Sequence, residues 1–460
     1  MGDTKSKNRK KTAETPEQPQ KTVRQKMTED YHAIHLQYEP SVMTGIDGIR
    51  FDFCHGFRMY EPETSTGRYV VELYDDEKGL IMSRQPLKPG GYLFHNASYY
   101  MRYMVQILDE TGKTPLFRHT FNLGGRPVVV SFPQKTLGDT IAWFAACEEF
   151  RVKTGCQLFC AMHPFHIEMF AKNYPDIHFI SFSDMENMKP YAHYLMGVSF
   201  DGGERLMPWD WRHQGLHHVG YNILGLDPYG ADEKPPKIDF DHERREIAEP
   251  YVCIASFASG GCKLWLNPDG WDEVCVFLKK CGYRVLDIDA NHYLQFNYLT
   301  IRIPREAEDF TGLGEGHKIS DRAAMINHAD FFIGLGSGLS WVAWAVGKPV
   351  VLISGFSLPF CEFHTPYRVI NTNVCHGCFN DTSLSFENNA KFWCPRQTDE
   401  RLKMACSTAI TSTQVINKIL EIPAFQAHME HAGLSVVATA DGYDVEAKQE
   451  QKRKPHHHKE

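Results

Sequence analysis

Long apolar runs are missing from this chain. No stretch of its 460 residues approaches the run of about twenty apolar side chains that crosses a bilayer, and residues 1–30 lack the apolar centre of a secretory leader. A transporter built of membrane helices is thereby excluded, and a cytoplasmic protein is expected. Positive charge is also in deficit. Lys and Arg total 49 against 57 Asp and Glu, a net charge of -8, so no general nucleic-acid affinity is expected and any anion site must be local. The chain has no G-x-x-x-x-G-K-[ST] loop, and its first α/β segment has no G-x-G-x-x-G, which argues against a P-loop nucleotidase and a nicotinamide enzyme. Cysteine is not scarce. Its count of 13 is odd, however, and no export signal accompanies it, so reduced thiols and a metal site fit better than a disulfide framework.

The length calls for two or three domains. Residues 1–34 are rich in Lys, Glu, Gln, Thr and Pro and read as a disordered basic tail; residues 431–460, ending KRKPHHHKE, read as a flexible one. Over 35–126, short alternating runs at 68–74 and 99–108 are separated by turns such as Lys88-Pro-Gly-Gly and Asp109-Glu-Thr-Gly, the pattern of a small all-β domain. From Pro127 the rhythm changes to strand and helix in alternation: strands at 128–132, 157–162 and 177–182, with a helix at 140–153. The charged, Pro-containing stretch 230–250 reads as a linker. Alternation then restarts with strands at 251–256, 283–288, 331–335 and 350–353 and helices at 269–281, 320–328 and 339–346. Such alternation predicts an α/β fold with two Rossmann-like domains, 127–235 and 236–430. Ligands in open α/β sheets bind beyond the carboxyl ends of the strands, which places the expected cleft between the domains.

Three turns carry candidate chemistry. In Lys135-Thr-Leu-Gly-Asp-Thr, Gly138 permits a tight turn and Asp139 stands at a helix start facing the cleft. As an N-cap, Asp139 contributes about 1 kcal/mol; as an ionised carboxylate it suits a general base. The strand ending at Ser256 runs into Phe-Ala-Ser-Gly-Gly-Cys-Lys263, where small residues admit a ligand to the backbone and Lys263 adds positive charge, an arrangement suited to a diphosphate; a glycine turn with a surface lysine is the plainer reading. Gly334-Leu-Gly-Ser-Gly-Leu-Ser-Trp offers backbone donors and the Ser337 and Ser340 hydroxyls at a helix N-terminus. His163-Pro-Phe-His166 reads as helix initiation or an acceptor contact rather than a metal pair. No D-x-D motif is read in a strand-to-turn context, so no catalytic divalent ion is expected. Finally, Cys375 and Cys378 form C-x2-C, followed after fifteen residues by Cys394 and after eleven more by Cys406. Four thiolates suit a closed, structural tetrahedral site, a metal finger over 375–406 for which zinc and iron are both chemically suitable.

Leu137-Gly-Asp-Thr, the Gly334 to Trp341 turn, and Cys375-His-Gly-Cys-Phe-Asn-Asp followed by Cys394-Pro and Cys406 together resemble the bacterial autotransporter heptosyltransferases, over about residues 35–425. The resemblance implies a GT-B glycosyltransferase fold preceded by a β-rich domain, transfer from ADP-heptose to serine hydroxyls of adhesin passenger domains in the cytoplasm, rings of twelve subunits, and iron in the cysteine site. By position it implies Asp139 as the catalytic aspartate and Lys263 as the donor-phosphate lysine, with Ser256, Gly336, Ser337, Gly338, Leu339 and Ser340 around the donor. Two alternatives stand beside it: another GT-B enzyme, acting on lipopolysaccharide core or using a GDP-sugar, and a non-catalytic nucleotide-binding scaffold.

Overall fold

In a computed structural model, the structure describes residues 40–448 apart from 98, 199–209, 230–233, 241–244, 297–298, 312–318, 388–389 and 441. The basic tail 1–34, parts of the linker 230–250 and the histidine-bearing C-terminus lie outside the described residues.

Two parallel sheets organise the chain. In the first half, strands Pro127–Ser131, Gln157–Ala161, His178–Ile180 and Ala192–Leu195 lie in the order third, second, first, fourth. Val128, Val129 and Val130 are fully buried, as expected for a parallel strand covered on both faces. The helix Leu137–Thr154 follows the first strand and ends where Gly155 turns left-handed at φ 65°, a conformation that costs glycine little.

The sheet does not stop at its fourth strand. Arg50–Cys54 adds to Ala192–Leu195 in parallel, and Gly56–Tyr60 and Tyr92–Asn96 continue it antiparallel. Residues 35–126 therefore divide between two sheets. Tyr69–Asp75, Leu80–Leu87, Tyr103–Leu108 and Pro115–Thr120 make a separate four-stranded antiparallel sheet. One core joins the two, with Phe53 packed against Tyr103, Phe121 and Tyr191.

In the second half, strands Tyr251–Ile254, Arg284–Asp287, Glu308–Asp309, Phe332–Leu335, Val350–Ile353 and Arg368–Val369 are all parallel, in the order third, second, first, fourth, fifth, sixth. The order reverses between Tyr251–Ile254 and Phe332–Leu335. Beyond the carboxyl ends of two such strands an open α/β sheet has its natural ligand crevice. Within the C-terminal region expected to be flexible from 431, strands Leu434–Thr439 and Gly442–Ala447 pair as a hairpin, and its Asp444 meets Lys280 at 2.9 Å.

The four-cysteine metal finger expected of this fold is corrected by the structure. Cys375, Cys378, Cys394 and Cys406 are free thiols, and among the described residues no group of three or more His, Cys, Asp or Glu is placed to hold a metal ion. Packing shapes the segment instead. Phe356, Phe379, Phe386 and Trp393 form a ring cluster with centroids 5.0–6.0 Å apart, and Cys378 and Cys394 pack against its core as apolar side chains. From the first half, the Arg212 guanidinium donates to the carbonyls of Phe379 (2.6 Å), Leu384 (3.0 Å) and Asp381 (2.6 Å). Asn380 returns a bond to the Arg212 carbonyl at 2.6 Å.

Because three carbonyls depend on one guanidinium, Arg212→Ala is expected to lower unfolding free energy by about 2 kcal/mol in denaturant melts. Arg212→Lys, a point charge without the planar fork, should recover less than half of that loss.

Candidate functional site

The two halves meet where two helices begin. A Cβ on Gly138, in the first turn of Leu137–Thr154, would lie 2.8 Å from Trp341 Cδ1, and one on Gly338, which opens helix Gly338–Ala345, would lie 3.0 Å from Leu137 Cβ. Both first turns can approach because neither glycine carries a side chain. The contact sets Asp139 beside the 334–341 turn, so the structure brings together two of the three turns singled out from the sequence.

Asp139 does not cap its helix. Thr136 is the N-cap residue, and Asp139 stands three positions further on, its Oδ2 accepting from Thr136 Oγ1 at 2.5 Å. Its half-buried carboxylate therefore holds no backbone N–H, while the first turn still favours an acidic side chain through the helix dipole.

Around the 334–341 turn, the small residues differ in what they leave free. Ser340 is buried, and its hydroxyl donates to the Leu335 carbonyl at 2.6 Å, closing the strand end. Ser337 is the N-cap of Gly338–Ala345 and forms no side-chain cap bond, so the helix N-terminus keeps its unpaired N–H groups and the positive end of its dipole. Leu339 is half-buried and packs against the core. Gly336 has no room for a side chain, since its Cβ would come within 2.6 Å of Glu362 Oε1. Glu362 is itself fixed by Arg368 Nη1 at 2.8 Å and by the Ser357 hydroxyl at 2.7 Å.

Ser256 is not available in the way its sequence context suggests. Its N–H donates to Asp289 Oδ2 at 2.7 Å, and its Oγ donates to Asp287 Oδ2 at 2.8 Å. Lys263 closes the 3-10 turn Gly261–Lys263 a few residues on and is half-buried. Asp287 and Asp289 escaped the sequence reading, although Asp287-Ile-Asp289 is a D-x-D sequence leaving strand Arg284–Asp287. The pair faces inward and is no chelator. Burial raises the pKa of Asp287, reinforced by the Asp289 charge, and burial raises Asp289 to about 6 against the pull of the Phe257 and Ser256 N–H groups. The pair thus retains a proton where two separate carboxylates would have lost both.

His163 is the N-cap residue of helix Pro164–Phe170, with Nε2 3.1 Å from the Pro133 carbonyl. His166 is fully buried, and burial pulls its pKa down to about 4, so it is neutral.

Comparison with known proteins gives this geometry a lineage. Residues 217–387 match glycosyltransferase family 9 (heptosyltransferase). The autotransporter heptosyltransferase Aah of Escherichia coli is 39% identical over 379 residues, 82% of this chain and 94% of that protein. The crystal structure of TibC from enterotoxigenic E. coli, described as an iron-containing dodecameric glycosyltransferase, superposes with a TM-score of 0.77 at 39% identity, covering 84% of this chain and 99% of that one; its complex with ADP-D-beta-D-heptose gives 0.78 at 38%, covering 85% and 100%. BimC of Burkholderia thailandensis, named an inactive autotransporter heptosyltransferase, is 32% identical over 391 residues, 83% of this chain and 87% of that protein.

The metal of TibC does not carry over. Among the described residues no group of three or more His, Cys, Asp or Glu is placed to hold a metal ion, and Cys375 Sγ turns to the Leu402 carbonyl at 3.8 Å. Burial, and then the neighbouring thiols of Cys375, Cys378 and Cys394, push Cys406 up to about 12.

Replacing a helical glycine by alanine normally gains about 0.5–1 kcal/mol. Gly138→Ala is expected to reverse that sign and cost about 1–3 kcal/mol through overpacking on Trp341, measured by thermal unfolding, with Trp341→Leu recovering part of the loss in the double variant. The acid pair generates a pH signature as well. Raised carboxyl pKa values mean that the folded state binds more protons than the unfolded one, so the pair's stabilising contribution is complete below the unfolded value near about 4 and is lost as pH rises through the folded values, about 6 for Asp289. Melts of Asp289→Asn between these limits should show a shallower decline than the parent chain.

Proposed function

This chain belongs to the autotransporter heptosyltransferase family, and from that premise we propose that it moves heptose from ADP-heptose to serine hydroxyls of an autotransporter passenger domain, with Asp139 as general base and inversion at the anomeric carbon. The observation that carries this reading is the crossing of the two helix starts, which sets the half-buried Asp139 beside the 334–341 turn.

The chemistry follows from the charges. A serine hydroxyl is a far weaker acid than a carboxylic acid, so proton removal before attack is steeply uphill. Asp139 accepts the proton while the C–O bond forms, when the hydroxyl has become acidic. The leaving ADP gains negative charge in the same step. The N-terminus of Gly338–Ala345 with the Ser337 hydroxyl, and the charge of Lys263, supply the dipoles and charge to meet it in this reading. Stabilisation that grows toward the transition state is what accelerates transfer.

No described helix is long and apolar enough to cross a membrane, in keeping with transfer in the cytoplasm, before the passenger is exported. By kinship with TibC, a dodecameric glycosyltransferase, we place the working enzyme in a ring of twelve copies. The 32% identity to BimC, named inactive, favours one second reading, a nucleotide-binding scaffold without turnover.

Asp139→Ala is expected to lower the transfer rate at least about hundredfold while ADP binding persists. The assay is intact-mass analysis of a passenger fragment incubated with ADP-heptose, together with calorimetry of ADP. One heptose increment per modified serine supports transfer; donor bound but never consumed by the parent chain favours the scaffold, and a variant that keeps its rate removes Asp139 as the base.

A further inference from the structure

We propose that the Asp287–Asp289 pair, closed on Ser256, is a positioning device for the donor: it fixes the start of the 256–263 turn and keeps the diphosphate away from the strand end. The inference rests on the donor reading above and assigns Asp289 as its principal positioning residue.

The geometry begins with two neighbouring strands. Tyr251–Ile254 and Arg284–Asp287 are parallel, with Ile254 beside Asp287. Just past this paired end, the first chain turns away at Ser256 and the second at Asp289. Asp289 Oδ2 accepts from the N–H groups of Ser256 at 2.7 Å and Phe257 at 2.9 Å and lies 3.3 Å from Ser256 Oγ. Asp287 takes the Ser256 hydroxyl at 2.8 Å through Oδ2 and the Asp289 N–H at 3.1 Å through Oδ1. Asp287 is 0% exposed and Asp289 6%. From helix Ile319–His328, Arg322 anchors the loop beneath the pair, donating to the carbonyls of Ile288 at 2.9 Å, Asp289 at 3.2 Å and Thr311 at 3.3 Å.

This arrangement closes a place that phosphate normally takes. At the switch point of an open α/β sheet, the N–H groups just beyond the first strand are the usual anion donors. Here two of them are already satisfied by a carboxylate oxygen, and a phosphate at the same spot would displace that oxygen and meet its charge. The Lys263 N–H is itself spent on the Gly260 carbonyl at 3.0 Å, so what remains for an anion is the half-buried Lys263 ammonium further along and the helix start at Ser337 and Gly338. Among the described residues no cation hydrogen-bonds either carboxylate, although Arg322 lies near enough to interact with the charge of Asp289, and two buried acids so held are costly to keep. Their return is a turn with one shape: the glycines and Lys263 are presented at a fixed offset from the strand end, and the diphosphate is confined between that turn and the start of Gly338–Ala345.

The test uses the full chain. ADP affinity is measured by calorimetry, and donor KM and kcat with ADP-heptose, for the parent chain, Asp289→Ala, Asp289→Asn and Ser256→Ala, each checked for folding by circular dichroism. Asp289→Ala frees both N–H groups and is expected to weaken ADP binding and raise donor KM at least about tenfold, while kcat changes less than about threefold. Asp289→Asn keeps an oxygen for both N–H groups and should return ADP affinity to within about threefold of the parent. Ser256→Ala removes only the hydroxyl link and should weaken ADP binding about threefold; it decides the matter if Asp289→Ala does not fold. A folded Asp289→Ala with unchanged ADP affinity, an Asp289→Asn as impaired as the alanine variant, or a neutral Ser256→Ala overturns the positioning role. A parent chain that binds no ADP overturns the donor reading itself, and the positioning role falls with it; binding that no variant alters removes the positioning role alone.

Discussion

The candidate site depends on a close approach that only missing side chains permit. Gly138 and Gly338 let the first turns of two helices from different halves lie against each other, Trp341 on one backbone and Leu137 on the other. Three consequences follow from that contact. Asp139 is carried on a helix of eighteen residues, rather than on a loop, so its position is set by packed secondary structure. The start of Gly338–Ala345 is carried equally firmly, at the end of a fully buried strand. The gap between the carboxylate and the dipole end of that helix is then a property of packing, and packed elements hold catalytic geometry better than flexible connections do.

Availability of backbone donors, rather than the number of small residues, shapes the second half of the site. Glycine and serine in a turn look equivalent in sequence. In the fold they divide sharply: the Ser256 N–H and hydroxyl are spent on two aspartates, the Ser340 hydroxyl on the Leu335 carbonyl, and Ser337 is left at an open helix start. Glu362, held by Arg368 and Ser357, stands directly against Gly336 and places a further carboxylate at the turn's edge.

What could be read from the sequence was what local pattern controls. The apolar runs at 128–130 and 350–353 gave away buried parallel strands, and the glycine turns marked the ends of the right strands. Which sheet a strand joins is decided by distant partners, so the alternation read over 35–126 marked a β-rich region without revealing that Arg50–Cys54, Gly56–Tyr60 and Tyr92–Asn96 extend the first parallel sheet. Asp139 was placed at the helix start but three residues early in role, because the boundary moved to Thr136 and boundaries are the weakest local signal. Asp287-Ile-Asp289 went unread because a D-x-D pair was sought as an outward chelator, whereas Asp287 ends a buried strand and Asp289, just past it, is turned inward by the Ser256 and Phe257 N–H groups. The cysteine spacing misled for a related reason. C-x2-C constrains two ligands locally, whereas the placing of Cys394 and Cys406 is decided by tertiary packing, which here is dominated by aromatic rings and sets no metal-holding group among the described residues.

That aromatic segment bears on the site through the first half. Trp211 packs on Phe379 with ring centroids 5.3 Å apart, Arg212 holds three carbonyls between 379 and 384, and Asn380 answers with the Arg212 carbonyl while its Oδ1 accepts the Leu358 N–H at 2.8 Å. The strap thus ties the region after Asp210 to the turn that follows Val350–Ile353, the strand next to the one carrying Gly336. It is a second junction between the halves, built from hydrogen bonds and ring packing, beside the glycine contact, which is built from backbone approach. Around these two junctions a single buried core runs from Val128, Val130 and Phe144 of the first half to Leu286, Phe332 and Val342 of the second, so the spacing between the Asp139 helix and the start of Gly338–Ala345 is held by continuous close packing as well as by the two local contacts.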